Sequence, residues 1–280
     1  MSGFVITAVL FGALLHAAWN VLVKSGGDKW LDVALLACAS AVVSSALLPF
    51  LPSPAPESWP YIIASAVVEV GYFALVAAAY RTGELSYVYP IMRGSAPLLT
   101  ALAAGLFVTD RLTAGNWFGI LLISAGLLLL PADQWWRGRF HVASTLFAFS
   151  TAVVICIYTL IDGIGSRLSG NAFTYVACMM SLNGFLLAVF LFLQQPAAAM
   201  QRIRASWLPL LGGGLCAWAS YAIALWAMTR APIAMVAALR ETSVIFGSVL
   251  AAVVLKEKFS MARYAAALLV CAGAISLKAL

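Results

Sequence analysis

Four charged side chains, Glu69, Arg93, Arg240 and Glu241, fall near the middle of long apolar stretches. On insertion scales each costs about 2.5–3.5 kcal/mol at a bilayer centre, so the four together oppose insertion by about 10 kcal/mol. That is comparable to the whole stability of a domain. Two kinds of role justify such a cost. The charges neutralise one another and tie helices together, or they bind something. A guanidinium offers a planar fork to a carboxylate, phosphonate or phosphate in a water-filled cavity. A carboxylate there can hold an ammonium group or carry a proton. Glu69 is the natural partner for one arginine. Arg240 and Glu241 are adjacent, project about 100° apart on a regular helix and cannot face each other there.

The residues around Arg93, "YPIMRGSAPLLT", favour the binding role. Pro97 has no N–H and leaves the carbonyl of Arg93 without its intrahelical partner, as Pro90 does for Ser86. A helix weakened at that turn must satisfy those carbonyls from a neighbour or from water. Elsewhere, His16, Asn20 and Lys24 follow one another at a spacing of four, a polar stripe on one face of an apolar helix. Tyr158 and Asp162 form a similar pair further along. Tyr72, Tyr89, Trp218 and Tyr221 lie deep enough to wall a pocket, whereas Tyr80 and Trp226 suit interfacial anchoring. Lys24 and Asp162 are expected at helix ends, where, with Pro97, they suit gating or coupling.

The elements that position these residues must be membrane helices. Of the 280 residues, 64% are hydrophobic and 9% charged, far outside the range for a soluble domain. Windows of roughly 20 apolar residues, enough to cross a hydrocarbon core, number ten. They run approximately 4–23, 30–51, 59–80, 85–108, 113–131, 140–161, 172–193, 206–228, 232–255 and 260–278. Continuous windows without alternation exclude a barrel. Short connections leave no room for a soluble catalytic domain, so whatever the chain does happens inside the bundle. The first helix reads as an uncleaved span.

Several chemistries drop out. The five cysteines show no metal or redox spacing and read as apolar filler, implying neither a disulfide nor a metal. There is no zinc-protease motif, no serine loop and no nucleotide loop. Asp162 lacks the second membrane aspartate that an aspartyl protease needs, because Asp28, Asp32, Asp110 and Asp133 fall in or beside loops. No cofactor and no enzyme activity are expected. The net charge of +6 reflects basic loops near anionic headgroups, not nucleic-acid binding. Outside the two deep arginines, ten Lys and Arg fall in the odd-numbered loops against four in the even-numbered loops and at the termini. The positive-inside rule therefore puts both termini outside.

The chain repeats itself. Shifted by 147 residues, "IMRGSAPLLTALAAGLFVTDRLTAGNWFGILLISAGLLLL" overlies "ALRETSVIFGSVLAAVVLKEKFSMARYAAALLVCAGAISL", with Arg93 on Arg240, Asp110-Arg111 on Glu257-Lys258, Thr113 on Ser260 and Gly126 on Gly273. A looser match shifted by 138 lays Asn20 on Tyr158 and Lys24 on Asp162. Residues 1–134 and 135–280 are thus two halves of five spans each. An odd number of spans inverts the second half, the arrangement secondary transporters use to expose one central site to alternate sides.

With its paired half-repeats, acidic/basic turns "TDRLTAGNW" and "LKEKFSMARY", and segments "LHAAWNVLVK", "YTLIDGIGSR", "YPIMRGSAPLL" and "ALRETS", the sequence resembles the drug/metabolite transporter superfamily, specifically its EamA-domain members. Asp110 stands where the family pattern has glutamate, which Glu257 keeps. The resemblance implies an all-α, ten-helix protein of the plasma (bacterial inner) membrane that moves a small organic solute by alternating access. Arg93 and Arg240 facing Glu69 and Glu241 suit an amino acid or another zwitterion, or an organic anion such as a phosphonate. His16, Asn20, Tyr72, Tyr89, Tyr158, Trp218 and Tyr221 complete the expected lining. Flipping of a lipid-linked substrate, or export of cationic or aromatic compounds, is the alternative. The fifth and tenth spans, nearly bare of polar groups and carrying "GILLISAG" and "AALLVCAG", are expected to serve as scaffold or dimer contact, so the chain is a monomer or a homodimer.

Overall fold

The structure, a computed structural model, describes residues 1–24, 29–108, 110–132, 141–254 and 261–279. Asp28, Asp133, Arg137, Arg139, Lys256, Glu257, Lys258 and Ser260 lie outside the described residues, as do the side chains of Lys24 and Lys29. The described residues contain no strand. The helices are α1 (Gly3–Lys24), α2 (Lys29–Leu47), α3 (Trp59–Thr82), α4 (Leu85–Phe107), α5 (Ala114–Leu129), α6 (Val142–Leu168), α7 (Ala172–Gln194), α8 (Pro196–Met228), α9 (Ile233–Arg240), α10 (Ser243–Val254) and α11 (Met261–Ala279). Nine of the described stretches are long and apolar enough to cross a membrane, with α9 and the start of α10 forming one of them; α5, at 16 residues, is shorter. In hydrocarbon a segment must satisfy its own backbone, which is why apolar sequence of this length folds as helix.

Polar residues mark the helix ends. Thr113 and Asn116 cap α5 reciprocally: the Thr113 hydroxyl accepts from the Asn116 N–H at 3.2 Å and Asn116 Oδ1 accepts from the Thr113 N–H at 3.0 Å. Asn171 caps α7 by accepting from the Phe173 and Thr174 N–H groups. Gly170 before it has φ +74°, a left-handed turn that a side chain would strain.

Three boundaries differ from the sequence expectation. The sixth span runs on to Leu168, because Gly163 and Gly165 sit inside a buried helix and do not end it. The eighth is extended at its start by residues 196–205, joined at a kink where Ser206 adopts φ −144° and ψ 29°. The ninth is broken between α9 and α10, although no proline lies there. Conversely α4 stays continuous through Pro90 and Pro97. Its remaining backbone bonds face no competing water, so the helix persists.

The two halves interlock. α1 of the first half packs on α8 and α10 of the second, and α6 of the second packs reciprocally on α3 and α4 of the first. α2 lies against its counterpart α7, and α5 against its counterpart α11. At the last pair the small residues are spent within the chain, as scaffold: a Cβ on Gly273 would lie 2.7 Å from the Gly119 carbonyl oxygen.

Candidate functional site

Where α4, α6 and the α9/α10 break converge, Arg93, Pro97, Thr100, Tyr158, Thr159, Arg240 and Glu241 line a cavity of about 10 Å³. That is near the room one water needs.

The break explains the adjacent opposite charges. Glu241 N–H bonds the Ala238 carbonyl, Thr242 that of Leu239, Val244 that of Glu241 and Ile245 that of Thr242, at 3.0–3.1 Å. These are 3₁₀-type bonds, which tighten a helix and recur at hinges. Arg240 ends α9 and Glu241 precedes α10, so the cation stands at a helix C-terminus and the anion at an N-terminus, each favoured by the helix dipole.

Arg93 meets Glu241 across the two halves, with Nε 2.7 Å from Oε2. Both residues are buried, at 8% and 4% exposure. The contact is an ion pair without an aligned hydrogen bond, and Arg93 Nη2 is buried with no partner. Glu69 is therefore not the partner the sequence suggested: among the described residues it makes no ion pair. At the break the Glu241 carboxylate meets Arg93 of α4. Glu69 instead lies within electrostatic reach of Asp162 and Arg240.

Asp162 is also corrected. Expected at a helix end, it is instead fully buried six residues before the end of α6. One carboxylate oxygen accepts from the Tyr175 hydroxyl at 2.9 Å and the other accepts from the Tyr221 hydroxyl. Arg240 lies over the ring of Tyr221, 4.9 Å from its centroid, a cation–π contact. Tyr72 meets Tyr158 edge to face at 5.8 Å, and both, with Tyr89 one turn before Arg93, are electrostatic neighbours of that arginine. His16 is within reach of both arginines and stacks edgewise on Trp19 at 4.9 Å. Asn20 turns its amide back onto the His16 carbonyl at 2.7 Å. Trp218 lies apart from the cavity lining, against Phe173. Lys24 is the last residue of α1.

Sequence reasoning missed Tyr175, Thr100 and Thr159, which are ordinary core residues by pattern. It also missed two cross-links that it had read as loop charges. Arg167 holds Asp110 in a fork at 2.9 Å through each Nη, and donates to the carbonyls of Met228 and Ala231. Asp110 also accepts from the Ile233 N–H at the start of α9, at 2.8 Å. By the parity of the spans this staple is on the side of the termini. On the other side Arg202 of α8 holds Asp32 of α2 at 2.6 and 3.1 Å.

The EamA-like transporter family profile matches residues 3–131 and 143–278. A crystal structure of another protein, 18% identical over 100% of this chain and 99% of that one, superposes with a TM-score of 0.77, a likeness of fold. No curated protein matches.

Proposed function

This chain belongs to the EamA-like transporter family, and on that premise we propose that it carries a small zwitterionic or anionic organic solute across the plasma membrane by alternating access. The carrying observation is the Arg93–Glu241 pair: buried, bridging the two halves at a helix break, and leaving Arg93 Nη2 without a partner. An ion pair whose donors are incompletely used can be exchanged for a ligand that satisfies them better. A zwitterion does so without adding net charge to the membrane interior, its carboxylate on Arg93 and Arg240 and its ammonium on Glu241. Thr100 and Thr159 offer hydroxyls beside it, and Tyr72, Tyr89 and Tyr158 provide aromatic walls. Because Arg93 and Glu241 come from opposite halves, exchanging the pair for solute loosens one half from the other, which is what alternating access requires.

A thermal-shift series on the detergent-purified protein tests this, using alanine, phenylalanine, succinate, methylphosphonate and tetraphenylphosphonium as probes. Ligand binding to the folded state raises the melting temperature by mass action, about 2.7 kcal/mol at 100 times Kd. Zwitterions or anions are expected to raise it, and Arg93→Gln is expected to abolish the shift while leaving the protein folded. Stabilisation by the cation alone, or an anion shift that survives Arg93→Gln, would sink the assignment.

A further inference from the structure

Arg167 is held ready by its own half of the chain. Its Nε donates to the Met228 carbonyl at 2.8 Å and its Nη2 to that of Ala231 at 3.0 Å. Both carbonyls belong to the second half, as does Ile233, whose N–H opens α9. Asp110 is the first-half member of the cluster. It accepts from both Nη atoms of Arg167 and from the Ile233 N–H, at 2.8–2.9 Å. Three bonds between the halves thus end on one carboxylate. Parting them frees the loop after α4 while the guanidinium keeps its carbonyl partners. The side chains of Arg167 and Asp110 are 28% and 13% exposed, against 9% and 6% for Arg93 and Glu241. Water therefore reaches the staple and hydrates both charges as they separate, which lowers the desolvation cost that a deeper pair carries.

The three elements tied here, α4, α6 and α9, are the ones that line the cavity. α9 has eight residues, Ile233–Arg240, and is about 12 Å long at 1.5 Å per residue. Asp110 grips its first residue, and its last is Arg240, where the 3₁₀ turns begin. Ile233 also fills the room that Gly163 of α6 leaves. On the opposite side, among the described side chains, hydroxyls tie the start of α6: Tyr87 of α4 shares a bond with Thr145, and Ser144 donates to the Thr82 carbonyl at the end of α3. The Asp32–Arg202 fork there joins α2 to α8, neither of which lines the cavity. Charge-assisted bonds are roughly twice as strong as neutral ones, so the lining is fastened harder on the side of the termini.

From this arrangement we propose that the staple is a latch: Asp110 is the group that lets go, and while it holds, the cavity is shut on the side of the termini. Arg167, the two carbonyls behind it and the Ile233 N–H stay together as its receiver. Release frees the start of α9, which turns as a short rigid lever about the 3₁₀ break and carries the change to the Arg93–Glu241 pair. The latch rests on the alternating-access reading and not on the class of solute.

The test uses the full-length protein with its five cysteines replaced by alanine and Ala96→Cys in the cavity wall as reporter. A membrane-impermeant methanethiosulfonate is applied to right-side-out and to inverted vesicles without solute, and the labelling rate is read from each side. With the staple intact, labelling is expected to be slower from the side of the termini. Losing one hydrogen bond to a charged group shifts an opening equilibrium about 10- to 100-fold. Asp110→Asn and Arg167→Gln are each expected to speed labelling from the side of the termini by about that factor, without speeding it from the other, and Arg111→Gln to change neither. Equal or reversed rates with the staple intact overturn the proposal, and that result needs no staple variant to fold. So does a rate from the side of the termini that stays unchanged in the folded staple variants, or one that rises alike from both sides, the mark of a loosened fold. Failure of the thermal-shift series would leave these outcomes as they stand, because no solute takes part.

Discussion

Arg93 and Glu241 hold a buried pair that is expensive to break from one side. Removing one partner strands the other charge, at about 3–5 kcal/mol, whereas removing both costs much less. Arg93→Gln or Glu241→Gln is therefore expected to lower the melting temperature in detergent sharply, and the double variant Arg93→Gln/Glu241→Gln to recover most of the loss. Equal and additive losses would show that the two side chains act apart. Tyr175 offers a second measurement at this scale. Its hydroxyl is one of two donors to Asp162, so Tyr175→Phe is expected to cost about 1.5–3 kcal/mol, the range for a hydrogen bond to a charged group. Urea titrations of this variant measure the loss; no change in stability would show that the bond contributes nothing.

At the scale of elements, the Asp110–Arg167 staple joins the loop after α4 to the end of α6 and the start of α9. Asp110→Asn keeps the size and loses the bidentate charge, so the melting temperature is expected to fall by the equivalent of about 1.5–3 kcal/mol. Arg111, next in sequence, has no such role in the staple, and Arg111→Gln is expected to be near neutral by the same assay. The α5–α11 contact is a matter of volume instead. Gly119 and Gly273 let the two backbones approach until no Cβ fits. Gly273→Leu is expected to reduce the yield of folded protein, with overpacking of about 1–3 kcal/mol or more; normal yield and melting temperature would show that the helices can move apart freely.

The whole molecule is two five-span halves that cover each other. α1 packs on α8 and α10, and α6 on α3 and α4, so each half covers helices of the other. Co-expression of residues 1–134 and 135–280 as separate chains is expected to give a co-purifying pair, while either half alone fails to accumulate folded. Independent accumulation of a half, seen by size-exclusion chromatography, would contradict the interlocked reading.

Much was legible in the sequence. Membrane residence follows from apolar length, because the hydrocarbon core accepts little else, and the inverted halves follow from the repeat of Arg93 on Arg240 together with the odd number of spans. The identity of the buried charges was equally plain, since insertion cost makes each one conspicuous. Their pairing was decided only in three dimensions. Proline suggested a weak point in α4, yet the break falls after Arg240, where opposite charges meet two helix dipoles. That turn brings Glu241 to Arg93. Asp162 looked like a helix end because the sixth apolar window stops at 161, and the helix in fact runs on through Gly163 and Gly165 to Leu168. Spacing along one helix fixes which residues share a face. Which face meets which depends on contacts between residues far apart in the chain, such as Tyr175 and Tyr221 closing on Asp162 from two other helices.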